Sequence, residues 1–547
     1  MQHYLYRLQE KMKAHWDEKS VCDFKGKEFT FGELAERIAK FHVLFDLFGV
    51  KKGDKIAICA KNSASWAISF LSVNSSGAII VPILADFTPE SVNNLVDHSE
   101  SIGFFTDTDL WKKLDITKMP NVRFVISVTD FSILYAKDDH VTEAIAKVDS
   151  AFAEKYPNGF SKENISYPTD NGDDLALINY TSGTTSAPKG VMITFDAFSS
   201  NVEFAIDKIP LGRGDTMVSM LPMAHMYGMM FEFIYPLCAG ATVYFLGGAP
   251  TPTLLLAALK TVKPRLIITV PLVMEKIYKS SIAPAVSKPA MKVLTSIPGV
   301  NKLIFNTIKK KLMAAFGGNV THIIMGGAAL NPDVEGWFRK IGLPYTVGYG
   351  MTEFAPLLAY QHPWFFAKGS CGVKADRIEV RIDSADPANI VGEIQARGVS
   401  AMRGYFKNEE ATKSAFTEDG WVKTGDLGVI DKNGNIFIRG RSKNMLLSAN
   451  GQNIYPEEVE AVINAQPYVV ESVVVSRGGN LVSLTYFDKK KAEEDGLDDK
   501  AFSEYITTML AAVNKKMPVY SKVLKIEEVD VPFEKTPKMS IKRFLYS

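Results

Sequence analysis

Short apolar segments typical of buried strands alternate with helical patterns through roughly the first 440 residues, and this alternation constrains the fold more than any other feature. Phe31–Phe45 places its apolar side chains on one helix face, and Asp174–Tyr180 has the pattern of a strand. Buried strands are also predicted at Lys55–Cys59, Ala78–Pro82, Arg265–Val270 and His322–Met325. The sequence therefore predicts an α/β fold class with layered helices and sheets.

The last ~105 residues predict a separate, small α+β unit. Tyr455–Gln466 is typical of a helix, because Pro456 suits a first turn, where its missing N–H would have no partner. Strands are predicted at Ser472–Ser476 and Val482–Phe487, ahead of a long helix. The highly charged run Asp488–Lys500 is predicted to be a solvated loop.

The composition excludes several classes of protein. Lys and Arg number 62 and Asp and Glu 61, a net charge of +1 that argues against a nucleic-acid polymer as partner. The most apolar runs, Ala78–Leu84 and Leu266–Met274, are shorter than the ~18 residues of a membrane-spanning helix. The N-terminal segment lacks an apolar signal core, and the four cysteines include no CxxC pair. We expect a cytoplasmic protein and leave peripheral contact with the inner membrane face open.

The segment Tyr180–Val191, YTSGTTSAPKGV, is the most informative for chemistry. It follows a predicted strand and combines three threonines, two serines and two glycines with Lys189. Glycines let main-chain N–H groups approach phosphate oxygens, and the hydroxyls and the lysine add donors and positive charge. Pro188 and Gly190 flank the lysine, so the segment is not a Walker A loop. It predicts a cradle for a polyphosphate.

Together with seven further segments in the same order, this loop resembles the adenylate-forming superfamily, which includes acyl-CoA synthetases, peptide-synthetase adenylation domains and luciferases. The other segments are Leu221–Gly228, Gly326–Leu330, Gly348–Glu353, Gly392–Tyr405, Trp421–Asp431, Ile438–Glu460 and Pro532–Arg543. Eight matches in series make chance a negligible explanation. The resemblance implies a large N-terminal domain over residues 1–441 that binds AMP and the acyl group. A small mobile lid domain follows over residues 442–547.

The resemblance also implies a nucleotide site. Thr184 and Glu353 match the hydroxyl and carboxylate that bind Mg²⁺ with ATP, and oxygen ligands suit this hard cation. Tyr349 matches the aromatic residue that stacks on adenine, and Asp426 with Arg441 matches a pair at the ribose, although a structural salt bridge is an alternative. The expected nucleotide-binding residues are Thr181, Ser182, Gly183, Thr184, Thr185, Lys189, Gly326, Gly327, Ala328, Tyr349, Gly350, Met351, Thr352, Asp426, Ile438, Arg441, Lys443 and Gly451.

Two other roles follow from the same resemblance. His225 lies in the apolar segment LPMAHMYG, which the family places at the entrance of the acyl pocket. Lys443, two residues after Arg441, is the expected hinge about which the small domain rotates, so that one site serves two different transition states. The opposite face, near Ser448–Asn453, is expected to line the tunnel for the thiol.

The C-terminal segment departs from the family pattern. Aligned on Lys535, Ile541 and Arg543, the lysine expected to contact the acyl carboxylate and the phosphate is replaced by Ser540. Lys538 and Lys542 flank this position at two residues on either side. In an extended chain they would share a face with Ser540, roughly 6.6 Å away. We expect Lys542 first, and Lys538 second, to supply the missing charge.

The resemblance implies ATP- and Mg²⁺-dependent activation of a fatty acid through an acyl-adenylate, followed by transfer to CoA. The segment Lys302–Gly318 resembles the long-chain fatty acid–CoA ligase branch. The alternatives are an acyl-AMP ligase that loads a carrier protein, an aryl or short-chain acid–CoA ligase, a luciferase-like monooxygenase, and a weakened acyl-adenylate-binding protein, which Ser540 suggests. The sequence leaves monomer and homodimer open.

Overall fold

The computed structural model describes residues 1–181, 188–248, 251–286, 288–447, 452–536 and 540–546, without the side chain of Lys292. The strands are β1 Lys19–Asp23, β2 Glu28–Thr30, β3 Lys55–Cys59, β4 Ile79–Pro82, β5 Gly103–Thr106, β6 Phe124–Ser127, β7 Ile133–Ala136, β8 Leu175–Thr181, β9 Lys189–Thr194, β10 Thr216–Ser219, β11 Thr242–Phe245, β12 Leu266–Thr269, β13 His322–Met325, β14 Tyr345–Val347, β15 Tyr349–Gly350, β16 Leu357–Tyr360, β17 Val373–Lys374, β18 Ile378–Asp383, β19 Gly392–Gly398, β20 Gly404–Tyr405, β21 Val422–Ile430, β22 Ile436–Arg441, β23 Leu446–Leu447, β24 Asn453–Ile454, β25 Val469–Arg477, β26 Asn480–Phe487 and β27 Val523–Val529.

The helices are α1 Tyr4–Ala14, α2 Phe31–Phe48, α3 Ala64–Ser75, α4 Pro89–His98, α5 Thr108–Trp111, α6 Asp139–Lys155, α7 Phe195–Lys208, α8 Met226–Gly228, α9 Tyr235–Ala239, α10 Pro252–Val262, α11 Pro271–Ile277, α12 Ala283–Val286, α13 Pro289–Leu294, α14 Val300–Ala315, α15 Pro332–Ile341, α16 Glu409–Ala415, α17 Pro456–Asn464, α18 Lys489–Glu494 and α19 Asp499–Lys516. A π-helical turn, Met229–Ile234, joins α8 to α9. None of the described helices combines the length and apolar character needed to cross a membrane.

Two large, mainly parallel sheets form the body of the N-terminal domain, which confirms the predicted α/β class. One has seven strands in the order β14-β13-β12-β10-β11-β1-β2, and the other has eight in the order β20-β9-β8-β4-β3-β5-β6-β7. The crossovers between parallel strands carry helices, which bury the apolar faces of the sheets. Three-stranded and four-stranded antiparallel sheets, β15-β16-β17 and β18-β19-β21-β22, complete this domain.

Local signals explain individual elements. Helix α2 begins with a capping box, in which the Thr30 hydroxyl accepts from Glu33 N and the Glu33 carboxylate accepts from Thr30 N. It ends at Gly49, whose φ of +67° is the left-handed conformation that glycine adopts without strain. Strand β8 is buried on both faces because it lies inside the eight-stranded sheet, and its polar Asn179 is buried too.

The C-terminal domain is the predicted α+β unit. Strands β25, β26 and β27 form one sheet, against which α17 and α19 pack. The expectation of a loop over Asp488–Lys500 is wrong, because α18 forms there. The Asp488 carboxylate accepts a hydrogen bond from Lys491 N at the start of this helix, and Ala492 is buried. The high density of charge therefore led to the prediction of a loop where a short, capped helix forms.

The cysteines fit the expectation of isolated thiols. Cys22, Cys59 and Cys238 are buried, Cys371 is half-buried, and none of the four is bonded to another. Burial raises the pKa of each thiol, to about 12 for Cys22, which disfavours the reactive thiolate. These cysteines act as small apolar side chains.

Candidate active site

The predicted phosphate loop joins two paired strands. Strand β8 ends at Thr181 and β9 begins at Lys189, and these two residues are register partners. The Thr181 hydroxyl donates to the Lys189 carbonyl at 3.4 Å. Gly190 is required by packing, since a Cβ there would lie 2.8 Å from the Ile178 side chain. Ser182, Gly183, Thr184 and Thr185 lie outside the described residues, so their phosphate-binding roles stay predictions.

Lys189, Tyr405 and Glu353 form a cluster beside this loop. Strand β20 pairs with β9, which places the ring of Tyr405 4.9 Å from Lys189 Nζ. The Tyr405 hydroxyl donates to Glu353 Oε1 at 2.9 Å, and burial together with this carboxylate raises the pKa of Tyr405. The cluster therefore places a cation and a carboxylate around one aromatic side chain.

Tyr405 is a site residue that sequence reasoning missed. It closes the segment Gly392–Tyr405, which the sequence singled out, yet no role was predicted for it. The sequence offered one sign of a role for Tyr405, namely an aromatic residue at the end of a segment that matches the family. Its partner Lys189 lies 216 positions earlier in the chain. Only the pairing of β20 with β9 brings the two together.

The donor set around Glu353 suits magnesium. Mg²⁺ is usually held by one or two carboxylates, with phosphate oxygens and water completing its shell. The described residues contain no group of three or more His, Cys, Asp or Glu side chains able to hold a metal by themselves. Glu353 as a single carboxylate next to a phosphate loop fits this mode, and the second expected ligand, Thr184, lies outside the described part.

In the predicted nucleotide site Tyr349 and Asp426 are buried, and the exposed Arg441 pairs with Asp426. The Tyr349 hydroxyl donates to Asp426 Oδ2 at 2.7 Å, and Arg441 Nε lies 2.7 Å from Asp426 Oδ1. Asp426 and Arg441 are register partners on β21 and β22, and half-buried Ile438 lies on β22 opposite Gly428. Burial raises the pKa of Asp426, and Arg441 opposes this shift. The salt bridge that the sequence left as an alternative is therefore present.

The segments GGAAL and GYGMTE form a turn and a hairpin next to these groups. Gly326 N donates to the Thr269 carbonyl at 3.1 Å, so the turn is tied to β12. A Cβ on Gly326 would lie 3.1 Å from the Tyr227 ring, and one on Gly350 would lie 2.3 Å from the Pro356 carbonyl oxygen. Both glycines are needed for close approach, and Gly327 has a φ of +83°. Gly327 and Ala328 are exposed, whereas Met351 is half-buried and Thr352 is buried.

The loop that carries His225 is held by two polar side chains, the buried Glu232 and the half-buried Asn62. Glu232, on the π-helical turn, accepts from Met220 N at 3.0 Å and from Leu221 N at 2.8 Å. Asn62 donates to the Leu221 carbonyl at 2.6 Å and accepts from Met223 N at 2.9 Å. Burial raises the pKa of Glu232 well above its usual range. These side chains fix the backbone just ahead of His225.

Sequence reasoning missed these supports as well. Glu232 interrupts the apolar run MMFEFI, and an isolated carboxylate in such a run was the available signal. Asn62 gave none, because it is 163 positions from His225. His225 itself is half-buried, and its Nδ1 accepts from Tyr227 N at 3.3 Å.

A largely apolar cavity connects these elements. It contains about 600 Å³ of empty space, part of which is open to solvent. Its lining includes Ile209, His225, Met226, Tyr227, Phe231, Ile268, Ile324, Gly326, Gly327, Tyr349, Gly350, Met351, Thr352, Leu357 and Tyr360. The predicted adenine-binding and acyl-binding segments thus share one cavity, and Thr352 connects it directly to Glu353.

The predicted residues of the small domain do not line this cavity. Lys443 is exposed in a single 3-10 turn, Ser442–Asn444, that leads from β22 into the small domain. Lys542 belongs to a terminal hairpin in which Lys535 pairs with Ile541. Its Nζ lies 3.3 Å from Glu534 Oε2. Lys538 and Gly451 lie outside the described residues.

Ser540 is exposed at the end of the same hairpin. Its carbonyl accepts from Thr536 N at 2.8 Å, and its N–H donates to the Thr536 hydroxyl at 3.3 Å. The side chain at the expected lysine position is therefore a small, exposed hydroxyl. The cation nearest to it in sequence among the described residues is Lys542.

Comparison with known proteins assigns the family. A profile of the AMP-binding enzyme family matches residues 8–406, and a profile of the AMP-binding enzyme C-terminal domain matches residues 443–546. The chain belongs to the AMP-binding enzyme family, which confirms the resemblance to adenylate-forming enzymes.

Two curated relatives and one solved structure illustrate the similarity. The long-chain-fatty-acid–CoA ligase FadD15 of Mycobacterium bovis is 29% identical over 473 residues, which cover 82% of this chain and 75% of that protein. The chloroplastic long-chain-fatty-acid–[acyl-carrier-protein] ligase AEE15 of Arabidopsis thaliana is 25% identical over 599 residues, covering 94% and 81%. The Bacillus subtilis o-succinylbenzoate CoA synthetase MenE, solved with ATP and magnesium ion, is 20% identical, with a TM-score of 0.74 over 100% of this chain and 99% of that chain. The last similarity establishes the fold.

Proposed function

We propose that this enzyme activates a long-chain fatty acid with ATP and transfers the acyl group to CoA. The observation that carries the proposal is the apolar cavity, which joins the hairpin of Tyr349 to the His225 loop and includes Thr352, the residue before Glu353. An apolar cavity suits an acyl chain, and the cluster of Lys189, Tyr405 and Glu353 suits a metal-bound triphosphate. The names of the curated relatives agree with a fatty acid as substrate.

In the first step a carboxylate oxygen attacks the α-phosphorus of ATP, and pyrophosphate leaves with the electrons of the broken P–O bond. Bound Mg²⁺, held by Glu353 and Thr184, would neutralise phosphate charge. Lys189 is placed to bind phosphate oxygens, because it begins β9 directly after the phosphate loop and its ammonium group lies in the cluster, 4.9 Å from the Tyr405 ring. Tyr405 orients Glu353 through the 2.9 Å hydrogen bond. Catalysis of this kind comes from positioning and electrostatic stabilisation.

In the second step the CoA sulfur attacks the acyl carbon, the bond from that carbon to the AMP oxygen breaks, and AMP leaves. The small domain supplies different groups in the two steps. We place the boundary between residues 441 and 442 and the hinge at Lys443, which is exposed and lies in a single turn between the domains. Such a turn can absorb a change of backbone angles without disturbing the packed core of either domain.

We assign the missing cation of the first step to Lys542, with Lys538 as the second candidate. The Lys542 side chain reaches Glu534 across the hairpin, and both side chains are partly exposed, at 35% and 65%. An exposed ion pair of this kind is weak, so Lys542 can exchange Glu534 for a phosphate when the small domain rotates.

A second candidate function is the loading of an acyl carrier protein in place of CoA, because one of the relatives carries that activity in its name. The first step is the same in both cases. The two functions differ only in the thiol that accepts the acyl group.

The test is to incubate the purified enzyme with Mg·ATP and palmitate and to measure pyrophosphate release. Parallel reactions contain CoA, a phosphopantetheinylated carrier protein, or neither, and the products are identified by mass spectrometry. We expect palmitoyl-CoA and AMP. Acyl transfer to the carrier protein alone would overturn the CoA assignment, and ATP binding without pyrophosphate release would show a non-catalytic binding protein. Acids of two to eighteen carbons would then define the chain length.

A further inference from the structure

A long segment of the N-terminal domain has a charge pattern unlike the rest of the chain. From Lys276 to Pro332 the sequence contains eight lysines and no aspartate, glutamate or arginine. At the average of the whole chain, with 61 acidic residues in 547, a segment of this length would carry about six acidic residues. All eight lysines fall in residues 276–321, which lead from α11 to β13 and are called the basic crossover below.

The basic crossover is attached to the wall of the cavity. Strand β12 contributes Ile268 to the cavity lining and β13 contributes Ile324. The crossover begins seven residues after β12 ends, and β13 follows it immediately. A surface formed by this segment is therefore one connection away from the predicted acyl site.

Several large apolar side chains of this region face solvent. Val293 is 64% exposed, Leu303 is 70% exposed, and Leu272, just ahead of the crossover, is 52% exposed. Leu294 and Ile297 are exposed as well. Helix α13 has no buried side chain among those described, although two of its residues are large and apolar. Such residues are normally covered when they occur together.

Helix α14 presents both lysines and an apolar side chain on one exposed face. Of its sixteen residues only Leu312 is fully buried. Lys302, Leu303 and Lys310 are exposed, and their spacing places them on one side of the helix. An apolar side chain flanked by lysines on an exposed helix face is typical of a helix that lies at a membrane interface.

The lysines of the crossover lack ion-pair partners in the part of the chain that the structure describes. None of the seven whose side chains are described forms an ion pair with another described residue. Lys279 is the one that reaches the small domain, donating to the Asn464 carbonyl at 3.5 Å. In contrast, Lys516 of the small domain pairs with Asp333 just beyond the acid-free segment. The crossover therefore presents positive charge that no described ion pair neutralises.

We propose that the basic crossover is a docking surface for an anionic lipid bilayer. Lysines near a bilayer gain attraction from anionic headgroups, and the exposed apolar side chains gain from burial at the headgroup boundary. An acidic protein would satisfy the lysines, but the lipid boundary also accommodates Val293, Leu303 and Ile297. Docking on this face brings the wall of the cavity to the phase in which long-chain acids accumulate. The proposal does not depend on catalysis, so it can be tested without substrates.

The test is sedimentation of the full-length protein with sucrose-loaded vesicles. One set is pure phosphatidylcholine and the other contains about 30% phosphatidylserine, which gives the surface potential that attracts basic segments. We expect binding to the anionic vesicles only, with a bound fraction that falls as salt is raised, because salt screens exposed charges. Absence of binding to the anionic vesicles at low salt would overturn the proposal.

Variants locate the surface. The triple substitution Lys288→Gln, Lys302→Gln and Lys310→Gln is expected to weaken vesicle binding at least tenfold. The matched control replaces Lys112, Lys113 and Lys118, which are exposed lysines beside the other large sheet, with glutamine and is expected to bind like the parent. Equal losses in the two triples would mean that overall charge, and not this surface, binds the vesicle, and would overturn the assignment.

A second pair of variants tests the apolar contribution. Val293→Asp should reduce binding severalfold at constant salt, whereas Val519→Asp, at an 83% exposed valine of the small domain, should not. An environment-sensitive dye on Val293→Cys should shift to the blue on anionic vesicles. Pyrophosphate release with a short, water-soluble acid and no vesicles should stay unchanged in every variant. That control separates failure of docking from failure of the proposed function.

Discussion

The loop that carries His225 and the hairpin that carries Lys542 are held in opposite ways. Glu232 and Asn62 fix the loop through four hydrogen bonds to its backbone, and both belong to the same domain as the loop. The hairpin is tied to its own small domain, where Arg543 pairs with Glu460 and Lys535 Nζ lies 2.6 Å from Glu471 Oε2. The His225 loop of the proposed acyl site is therefore pre-formed, whereas the Lys542 hairpin belongs to the small domain, for which we propose a second docking arrangement.

The contacts between the two domains support this difference. They include the Lys516–Asp333 ion pair at 3.2 Å, a hydrogen bond from Asn331 to the Ala461 carbonyl at 3.2 Å, and the 3.5 Å contact between Arg439 and Glu458. These are polar contacts, most of them between exposed side chains, and such pairs each contribute little to stability. The His225 loop is therefore fixed by hydrogen bonds within its own domain, whereas the weak contacts between the domains fit the proposed rotation of the small domain.

The largest expected effect comes from the fixed side. Glu353→Gln should lower the rate of pyrophosphate release at least a hundredfold, because a neutral amide binds Mg²⁺ poorly. Single-turnover formation of acyl-adenylate measures the effect. Glu379→Gln, at an exposed carboxylate paired with Arg397, is the matched control and should be silent. A loss of less than tenfold for Glu353→Gln would contradict the assignment of Glu353 as the carboxylate that binds Mg²⁺.

The second prediction is that the two domains respond to pH in opposite directions. Burial, with His362 and Arg265 nearby, lowers the pKa of His322 in the N-terminal domain to about 4. Burial raises the pKa of Glu460 in the small domain to about 7, against the opposing effect of Arg543. A lowered histidine pKa means that the folded state binds fewer protons than the unfolded state between about pH 4 and 6.5. His322 therefore contributes a loss of stability to the N-terminal domain as pH falls through that window.

The sign is reversed for Glu460. Its folded state binds more protons than the unfolded state between about pH 4.5 and 7, so the small domain loses stability as pH rises. From pH 5 to pH 7 we expect about 2 kcal/mol of gain from His322 and about 2 kcal/mol of loss from Glu460. Hydrogen exchange resolved to peptides of each domain measures the two free energies of opening. His322→Gln should reduce the N-terminal slope and leave the part due to His42, whose pKa burial also lowers to about 4. Glu460→Gln should reduce the slope of the small domain, and no change of slope in either variant would contradict the prediction.

The third prediction concerns the lysines of the small domain. Lys542→Ala should lower the rate of acyl-adenylate formation about tenfold, which corresponds to the loss of one charge contact to phosphate. Transfer of the acyl group from pre-formed acyl-adenylate to CoA should change little. Lys538→Ala is compared in the same assay, and Lys525→Ala, at an exposed lysine of the same domain, is the control. If neither Lys542→Ala nor Lys538→Ala reaches tenfold, the idea that a flanking lysine replaces the one absent at Ser540 is wrong.

The fold class and the order of the motifs could be predicted because they depend on local patterns. The strands β3, β4, β12 and β13 appear where short apolar runs predicted them. A helix in Asp488–Lys500 was missed, because its stability comes from the Asp488 cap and the burial of Ala492, not from a strong pattern. Charge density alone does not separate a loop from a short capped helix.

Only those residues of the candidate site that lie within the family motifs could be predicted from the sequence. Tyr349, Asp426 and Arg441 come together as the family pattern implied. Tyr405 and Asn62 escaped prediction because their partners are distant in sequence and meet them only through sheet pairing and packing. A polar side chain that supports a backbone loop has no local signature, since its function is defined by the residue it touches.

The smallest expected effect is at the contact between the domains. Asp333→Asn removes the ion pair with Lys516, whose two side chains are 63% and 52% exposed. Exposed pairs contribute about 0.5 kcal/mol or less, so we expect both half-reactions to change by less than about twofold. Lys147→Gln, which breaks the exposed Lys147–Glu143 pair of the N-terminal domain, is the matched control. A selective tenfold change in one half-reaction for Asp333→Asn alone would mean that this pair holds the small domain in the arrangement for that step. The position of the small domain would then be fixed by a specific ion pair, and the two regions would no longer differ in how firmly they are held.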